Sequence, residues 1–441
     1  MGQKKLGLFD LTMIVVSLTI GMGIFRTPVV AAYKAGTPTL FFLAWFIGGL
    51  VALCGALTYA EIGSRYPVTG GYYRIFSYAY HPSLAFAINC IILVSNAGST
   101  ALVAVIGAEY IGRFFFDGPP SVLFKQGVTL SAVAVFYIIN LLGIKMSSRV
   151  LNVFILIKIS LIALLLLSVF GNYPIAATAG PVAAAPGPSS FGGVLKALGI
   201  GLVAISFTYG GYQQSINFGG DVKDPARIMP KGITYGICII LLLYLSINFV
   251  YVKVIGFESL KHADSIAALL IKHLFGPIGE NILRVLMFLS VLAYVNVLLM
   301  SNPRVMYAMS EEGILPAAFK KKTRKHDAIV WSLTAFSLVI VLTLVFTSAV
   351  EKIINYTIFL DSIGMSTSAA CLFILRRRKI GEERGDVYRM RLFPLMPLIF
   401  IFAYISIATS IVFDDPLTAG YGVLIFALFF GLYFVIRRAK K

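Results

Sequence analysis

Long apolar runs recur along the whole chain, separated by short polar segments. A run of about 18 or more mostly apolar residues is long enough to cross a bilayer as a helix. The 441 residues contain about twelve such runs, which predicts an all-α membrane protein with twelve transmembrane helices. The runs lie near residues 8–33, 38–62, 83–112, 127–144, 149–170, 193–219, 232–256, 281–309, 329–347, 352–375, 393–413 and 419–436.

The charged residues between these runs indicate the topology. Of the 37 lysines and arginines, about 26 fall on the side of the N-terminus and about 8 on the opposite side. Because cytoplasmic loops collect positive charge, we predict a multi-pass protein of the cell membrane with both termini cytoplasmic. The net charge of +18 is therefore a topology signal with attraction to anionic lipid, and it does not predict a nucleic-acid partner.

The composition is that of a membrane protein, and the sequence carries no recognisable catalytic or metal-binding motif. Hydrophobic residues make up 59% and charged residues 13%, and the mean hydropathy is +0.89. The four histidines lie at or beyond the ends of runs, and neither a metal-ligand spacing nor a nucleophile motif is present. We therefore predict no enzyme activity, no metal and no cofactor. The four cysteines lie inside apolar runs and are predicted to be small core residues: Cys54, Cys90, Cys238 and Cys371.

The stretch Gly21-Met22-Gly23 interrupts the first apolar run at its centre. Paired glycines loosen a helix at a depth where every backbone group needs a partner. One interpretation is a broken helix whose Met22 and Gly23 amides face a ligand carboxylate, while the carbonyl of Thr19 faces an ammonium group. The alternative is that the small residues only allow close helix packing.

A second interruption follows in the sixth run, within Ser206 to Gln214. Breaks at corresponding places in two halves of a chain indicate an inverted-repeat transporter with its site at mid-membrane. Carbonyls at this break also suit an ammonium group, so a zwitterionic α-amino acid satisfies both breaks. Phe207 at this break is predicted to contact the substrate; the alternative is that it is only a core aromatic. The predicted substrate-binding residues are Thr19, Gly21, Met22, Gly23, Phe207, Thr208, Tyr209 and Gly210.

Two charged residues stand alone inside apolar runs. Lys158 lies about nine residues, or about 13 Å of helix, beyond Arg149, which is too deep for its side chain to reach the surface easily. Asp361 lies about ten residues inside the tenth run. Intramembrane charges mark functional positions by default. Asp361 is equally consistent with a carboxylate that is bonded to serine or threonine groups of its helix.

Several local motifs together resemble one family. The glycine break is followed by Phe25 and Pro28, then by Tyr59-Ala60-Glu61, and then by Pro-x-x-Gly-Gly-x-Tyr at 67–73. This pattern resembles the amino acid–polyamine–organocation superfamily, near the bacterial homologues of the L-type amino acid transporters. The resemblance implies a LeuT-like transporter core at 1–375, with inverted repeats of five helices at about 7–170 and 192–375. A cytoplasmic loop and two extra helices follow at 376–441.

The resemblance also implies roles for single residues. A lysine matching Lys158 occupies the volume where sodium-coupled relatives hold sodium, between the first and eighth helices, which implies sodium-independent transport. Ser301 is the candidate on the eighth helix to meet it. Phe207 is implied to close over the substrate as an outer gate, and Asp221 to join the charge pairs of an inner gate. Three positions depart from the family pattern: Tyr212, Gly220 and Asn302.

We therefore predict a secondary transporter of neutral L-amino acids that works by alternating access, with exchange favoured over uniport. The third run has no carboxylate before Glu109, which argues against arginine or lysine as substrate. The main alternative is a proton-coupled amino acid or amine symporter in which Lys158 or Asp361 titrates. A sensor on the same scaffold would bind an amino acid without moving it. The last two helices are expected to pack closely, or to contact a second copy of the chain.

Overall fold

The computed structural model describes residues 5–21, 23–116, 118–170, 190, 199, 201–202, 205–206, 208–261, 266–345 and 347–439. Side chains are described for these residues except at 26, 168, 266–270, 272–275, 277, 345, 347–358, 384, 414 and 439. Within this part of the chain every regular element is a helix, and β pairing is limited to two isolated bridges. The predicted all-α class is confirmed.

The α-helices of the described residues are numbered here in chain order. They are α1 (Leu8–Thr19), α2 (Gly23–Ala35), α3 (Pro38–Arg65), α4 (Gly71–Ala79), α5 (Pro82–Phe115), α6 (Val122–Leu141), α7 (Ile144–Leu167), α8 (Pro225–Ile255), α9 (Phe257–Lys261), α10 (Ile266–Glu311), α11 (Val330–Val345), α12 (Thr347–Arg377), α13 (Leu395–Asp414) and α14 (Pro416–Ala439).

Nine helices of the described residues are long and apolar enough to cross a membrane. They belong to α3, α5, α6, α7, α8, α10, α12, α13 and α14. Two further apolar helices, Leu8–Thr19 and Val330–Leu344, are shorter. Of the predicted sixth run, residues 193–198, 200, 203–204 and 207 lie outside the described residues. The chain is thus a multi-pass membrane protein.

Local sequence explains where several helices begin and end. Proline is the first residue of α3, α5, α8 and α14, a position where its missing N–H removes no helical hydrogen bond. Thr37 caps α3 by accepting from the Leu40 amide at 3.4 Å, and Ser121 caps α6 by accepting from the Phe124 amide at 3.2 Å. Helix α8 ends at Gly256, whose φ of +86° favours glycine.

Two glycines of α8 let α1 approach it closely. A Cβ atom on Gly232 would lie 2.8 Å from the Leu11 side chain, and one on Gly236 would lie 2.5 Å from the Val15 side chain. Because lipid supplies no hydrophobic drive between helices, such close backbone approach is a principal source of helix association in membranes. It holds α1 in the interior of the molecule, where residues Asp10 to Thr19 are all buried.

A buried carboxylate joins helix ends on the side of the molecule that carries Leu6, Arg65 and Asp221, which we call the N-terminal face. Glu61 of α3 is fully buried. It accepts from Arg65 Nε at 2.7 Å, from Arg376 Nε and Nη2 at 2.8 and 2.6 Å, and from the Met390 amide at 2.9 Å. We call this group the Glu61 cluster. It connects α3, α12 and the segment before α13.

Candidate functional site

The first apolar run is interrupted where the glycine pair predicts it. Helix α1 ends at Thr19, Ile20 has a ψ of 88°, and α2 begins at Gly23. Two carbonyls released from the helical ladder are met by side chains. Tyr244 Oη donates to the Thr19 carbonyl at 3.2 Å, and Lys158 Nζ donates to the Ile20 carbonyl at 2.6 Å. The interruption is therefore a fixed structure with its own polar partners.

The second interruption is made by Gly210 and Gly211. The chain leaves the helix there and continues as a 3₁₀ helix over Tyr212–Asn217. Gly211 has a φ of +106°, and a Cβ atom on it would lie 2.2 Å from the carbonyl oxygen of Leu18. Glycine is needed at this position both for its backbone conformation and for contact with the main chain of α1. The two breaks are therefore in direct contact.

A pair of threonines links the breaks on their other side. The hydroxyls of Thr27 on α2 and Thr208 at the second break lie 2.6 Å apart. A Cβ atom on Gly23 would lie 3.1 Å from the Thr208 side chain. Tyr244 Oη also approaches the Thr208 carbonyl at 3.4 Å. The same tyrosine thus bonds the main chain of both breaks.

A cavity of about 380 Å³ opens at this junction. It is large enough for one amino acid, and its described lining combines main chain of the breaks with small polar and aliphatic side chains. The described lining comprises Leu18, Thr19, Gly21, Gly23, Thr27, Ile91, Ile92, Ser95, Asn96, Ser99, Leu102, Val103, Ile106, Ser206, Thr208, Gly210, Gly211, Gln213, Gln214, Tyr294, Leu298, Asp361, Ser362, Tyr404 and Ile407.

The residues singled out from the sequence divide into three groups. Some line the cavity: Thr19, Gly21, Gly23, Thr208 and Gly210. Tyr209 is buried away from the described lining, with its ring against Trp45 and Tyr244 at centroid distances of 5.8 and 5.1 Å. It packs as a core aromatic because the cavity lies on another face of its helix. Two of the residues, Met22 and Phe207, lie outside the described residues.

Lys158 and Ser301 reach different breaks. Lys158 is 1% exposed and contacts the first break through Ile20. The Ser301 hydroxyl accepts from Asn217 Nδ2 at 3.2 Å and approaches Gln214 Oε1 at 3.5 Å. The described contacts therefore place Ser301 at the second break and include no hydrogen bond between it and Lys158. Asp361 lines the cavity from α12.

Three amide side chains at membrane depth were missed as functional candidates. Asn96 of α5 donates to Asn302 Oδ1 of α10 at 2.7 Å and lies 3.4 Å from Gln214 Oε1 of the second break. Asn96 and Gln214 also line the cavity. Polar side chains inside apolar runs are the signal that could have found them, since amides in lipid need partners on other helices.

The N-terminal face is closed by main-chain and charged contacts. The Leu6 amide donates to the Asp221 carbonyl at 2.8 Å, and the Lys223 amide donates to the Leu6 carbonyl at 3.1 Å. Arg304 Nε lies 2.7 Å from Asp221 Oδ2, and its guanidinium lies 4.7 Å from the ring centroid of Phe218. Asp221 is therefore part of a polar network at this face, and its gating role stays a prediction.

Asp10 provides a second closure near the start of α1. Its carboxylate pairs with Lys145 and accepts from Ser148 and Asn152 at 3.1 Å each. These partners all lie on α7, so the N-terminal end of α1 is tied to α7. The sequence shows the signal, a lone carboxylate at the start of an apolar run, but it does not show which basic residue lies opposite.

The fold and the cavity define a class of protein: a multi-pass helical membrane protein with a ligand-sized cavity where two interrupted helices meet. A family model described as "Amino acid permease" matches residues 6–435. The chain belongs to this family, and with it to the amino acid–polyamine–organocation superfamily of amino acid transporters.

Curated relatives match from about three quarters to nearly all of the chain at low identity. The serine/threonine exchanger SteT of Bacillus subtilis (strain 168) is 28% identical over 455 residues, which cover 99% of this chain and 98% of the relative. The branched-chain amino acid permease BcaP of the same organism is 29% identical, covering 74% and 70%. The human large neutral amino acids transporter small subunit 2 is 25% identical, covering 98% and 80%. These relatives carry the names of transporters, not of enzymes.

Proposed function

We propose that this protein is a secondary transporter of α-amino acids that binds the zwitterionic backbone of its substrate at the two breaks. The contact between the breaks around one cavity is the observation that carries the proposal. The N-terminus of α2, with the Gly23 amide and a positive dipole end, suits a carboxylate. The carbonyl end of the half-helix before the second break suits an ammonium group, since the Thr19 and Ile20 carbonyls of the first break already accept from Tyr244 and Lys158.

The proposed architecture is the twelve-helix, LeuT-like arrangement. Its repeats would span about 7–170 and 192–375, with the last two helices outside them. The two interruptions and the nine long apolar helices support this arrangement. In such a transporter, a bundle of the first, second, sixth and seventh spans moves against the rest, and the contacts of α1 with α7 at Asp10 would be broken and remade in each cycle.

The closed N-terminal face supports alternating access. Asp221, Arg304 and Leu6 join the N-terminal segment to the second break and to α10. Positive charge concentrates on this side of the sequence, so we propose that it is the cytoplasmic face and that both termini lie there. Opening toward the cytoplasm then requires these contacts to separate while the substrate remains at the breaks.

Sodium-independent exchange of neutral amino acids is the mode that we propose. Lys158 Nζ donates to the Ile20 carbonyl at the C-terminal end of α1, the kind of place where a coupling cation would bind. SteT is named as an exchanger of serine and threonine, and BcaP as a permease of branched-chain amino acids. Both kinds of side chain are neutral, which agrees with a lining that is largely aliphatic and hydroxylic.

Counterflow in proteoliposomes tests this function. Purified full-length protein is reconstituted, and uptake of radiolabelled serine, threonine, leucine and alanine is measured with and without the same unlabelled amino acid inside. We expect uptake that requires internal amino acid and is unchanged when choline replaces sodium. Uptake driven by an inward proton gradient into vesicles without amino acid would favour the symporter instead. Saturable binding without any uptake would favour a sensor.

The threonine link offers a mild test of the site. In Thr27→Val the hydroxyl contact to Thr208 is lost while the side-chain shape is kept. A hydrogen bond of this kind contributes about 1 kcal/mol, so we expect severalfold weaker substrate binding with folding intact. Competition counterflow measures the change. Thr409→Val, on an exposed part of α13, is the matched control. Equal affinity in both variants would show that the threonine link does not shape the site.

A further inference from the structure

Asp361 is an acidic side chain within the cavity lining. The described lining contains no lysine, arginine or histidine and no second carboxylate. Within the described part of the chain, Asp361 has neither a salt bridge nor a hydrogen bond from its carboxylate to another residue. The other described lining residues on α12 and α13 are Ser362, Tyr404 and Ile407.

The other carboxylates inside the described helical core differ from Asp361 in this respect. Asp10 is paired with Lys145 and two further donors. Glu61 is paired with Arg65 and Arg376. Asp10 and Glu61 are thus each paired with a basic side chain. Asp361 instead faces the cavity that a ligand would occupy.

Charge balance indicates what that ligand brings. A carboxylate in an apolar setting is costly unless it is paired. A bound zwitterion does not pair Asp361, because the two breaks bind both its carboxylate and its ammonium group. A second cationic group on the ligand would pair Asp361. The aliphatic part of the lining, with Ile91, Ile92 and Leu298 among its members, would pack against the methylene groups of such a side chain.

We propose that Asp361 is a specificity-determining residue that binds a side-chain ammonium or guanidinium, so that the cavity accepts cationic α-amino acids as well as neutral ones. This inference rests on the proposed function, because the backbone of the substrate must lie at the breaks. It also changes the expectation from the sequence. The third run lacks a carboxylate near the site, but α12 delivers one to the same cavity.

The test is competition against counterflow of a labelled neutral amino acid in proteoliposomes. The competitors are 2,3-diaminopropionate, 2,4-diaminobutyrate, ornithine and lysine, together with norleucine, the uncharged analogue of lysine. For the best-fitting diamino acid, we expect Asp361→Asn to weaken competition about tenfold or more. Norleucine should change by less than about threefold, because its side chain carries no charge for the carboxylate to bind.

Three further variants sharpen the result. Asp361→Glu keeps the charge on a longer stem, so we expect it to retain cation competition and to favour a diamino acid with a shorter chain. Glu383→Gln, an exposed carboxylate on the N-terminal face, should change no competitor. Arg26 adjoins the lining residue Thr27, and its side chain lies outside the described residues. We expect Arg26→Gln to leave cation competition in place.

Several outcomes would overturn the assignment. One is that every diamino acid inhibits neutral counterflow equally well in the native protein and in Asp361→Asn, while neutral exchange persists in both. Another is that cation competition emerges only in Arg26→Gln, since Arg26 would then hold the carboxylate. A third is that Asp361→Asn abolishes a proton dependence of neutral uptake, since a proton would then be the partner. In each case exchange itself survives. Loss of all counterflow in the native protein would instead contradict the proposed function.

Discussion

Lys158→Ala is expected to reduce counterflow to the level of protein-free vesicles while the protein remains folded. The lysine is fully enclosed, and its ammonium group lies 2.6 Å from the Ile20 carbonyl at the end of α1. A cation there completes the hydrogen bonding of the first break and balances the negative end of the half-helix. Without it, the released carbonyl has no partner in a dry interior, and the main chain that receives the substrate loses its fixed geometry.

The controls separate charge from volume. Lys158→Met retains most of the side-chain bulk without the charge, and we expect it to fail like alanine. Lys253→Ala removes an exposed lysine from α8 and should leave counterflow unchanged. Size-exclusion profiles in detergent report whether each variant is folded. Normal exchange by a well-folded Lys158→Ala protein would remove this residue from the mechanism.

The features predictable from the sequence are those that violate a rule of the membrane interior. Gly21 with Gly23, and Gly210 with Gly211, lie at a membrane depth where a continuous helix has no need of glycine. Both predicted interruptions are present in the structure. Lys158 is predictable for the same reason, because a charge in an apolar run needs a compensating partner. The apolar runs likewise predict the helices, since length and hydropathy suffice for that step.

The sequence does not reveal how each helix is rotated about its axis, or which residues on other helices its side chains contact. Tyr209 adjoins the second break, yet it faces Trp45 and Tyr244 because its helix presents another face to the cavity. A run that is apolar all round carries no periodic signal for which side is interior. For the same reason, the sequence did not indicate that Ser301 meets the second break or that Asp361 enters the cavity.

The Glu61 cluster is a further case in which partners are far apart in sequence. In the sequence, Glu61 appears only as the last residue of the Tyr59-Ala60-Glu61 motif. The structure shows that its distant partners are the Met390 amide and Arg376 of α12. Arg65 continues the cluster to the Ile380 carbonyl at 3.1 Å and to Glu382 at 3.4 Å. A single carboxylate therefore holds α3 and α12 at the N-terminal face.

Glu61→Ala is expected to destabilise the protein by about 3 kcal/mol or more, because it leaves buried guanidinium charge without its principal partner. The Arg65 side chain is 1% exposed and the Arg376 side chain 22% exposed, so water replaces little of the lost interaction. Thermal unfolding in detergent can be followed with a thiol-reactive dye, because Cys54 and Cys371 are buried and free in the folded protein. We expect a clearly lower apparent melting temperature.

Glu109→Ala is the matched control for this variant. Glu109 and Arg113 form a glutamate–arginine pair with the same four-residue spacing on α5, but their side chains are 37% and 54% exposed. Exposed pairs contribute about 0 to 1 kcal/mol, so the melting temperature should scarcely move. Glu61→Gln should fall between the two, since its amide oxygen still accepts one hydrogen bond without the charge. Equal melting of the Glu61→Ala and Glu109→Ala proteins would show that the Glu61 cluster does not stabilise the fold, and that its role must be sought in the transport cycle.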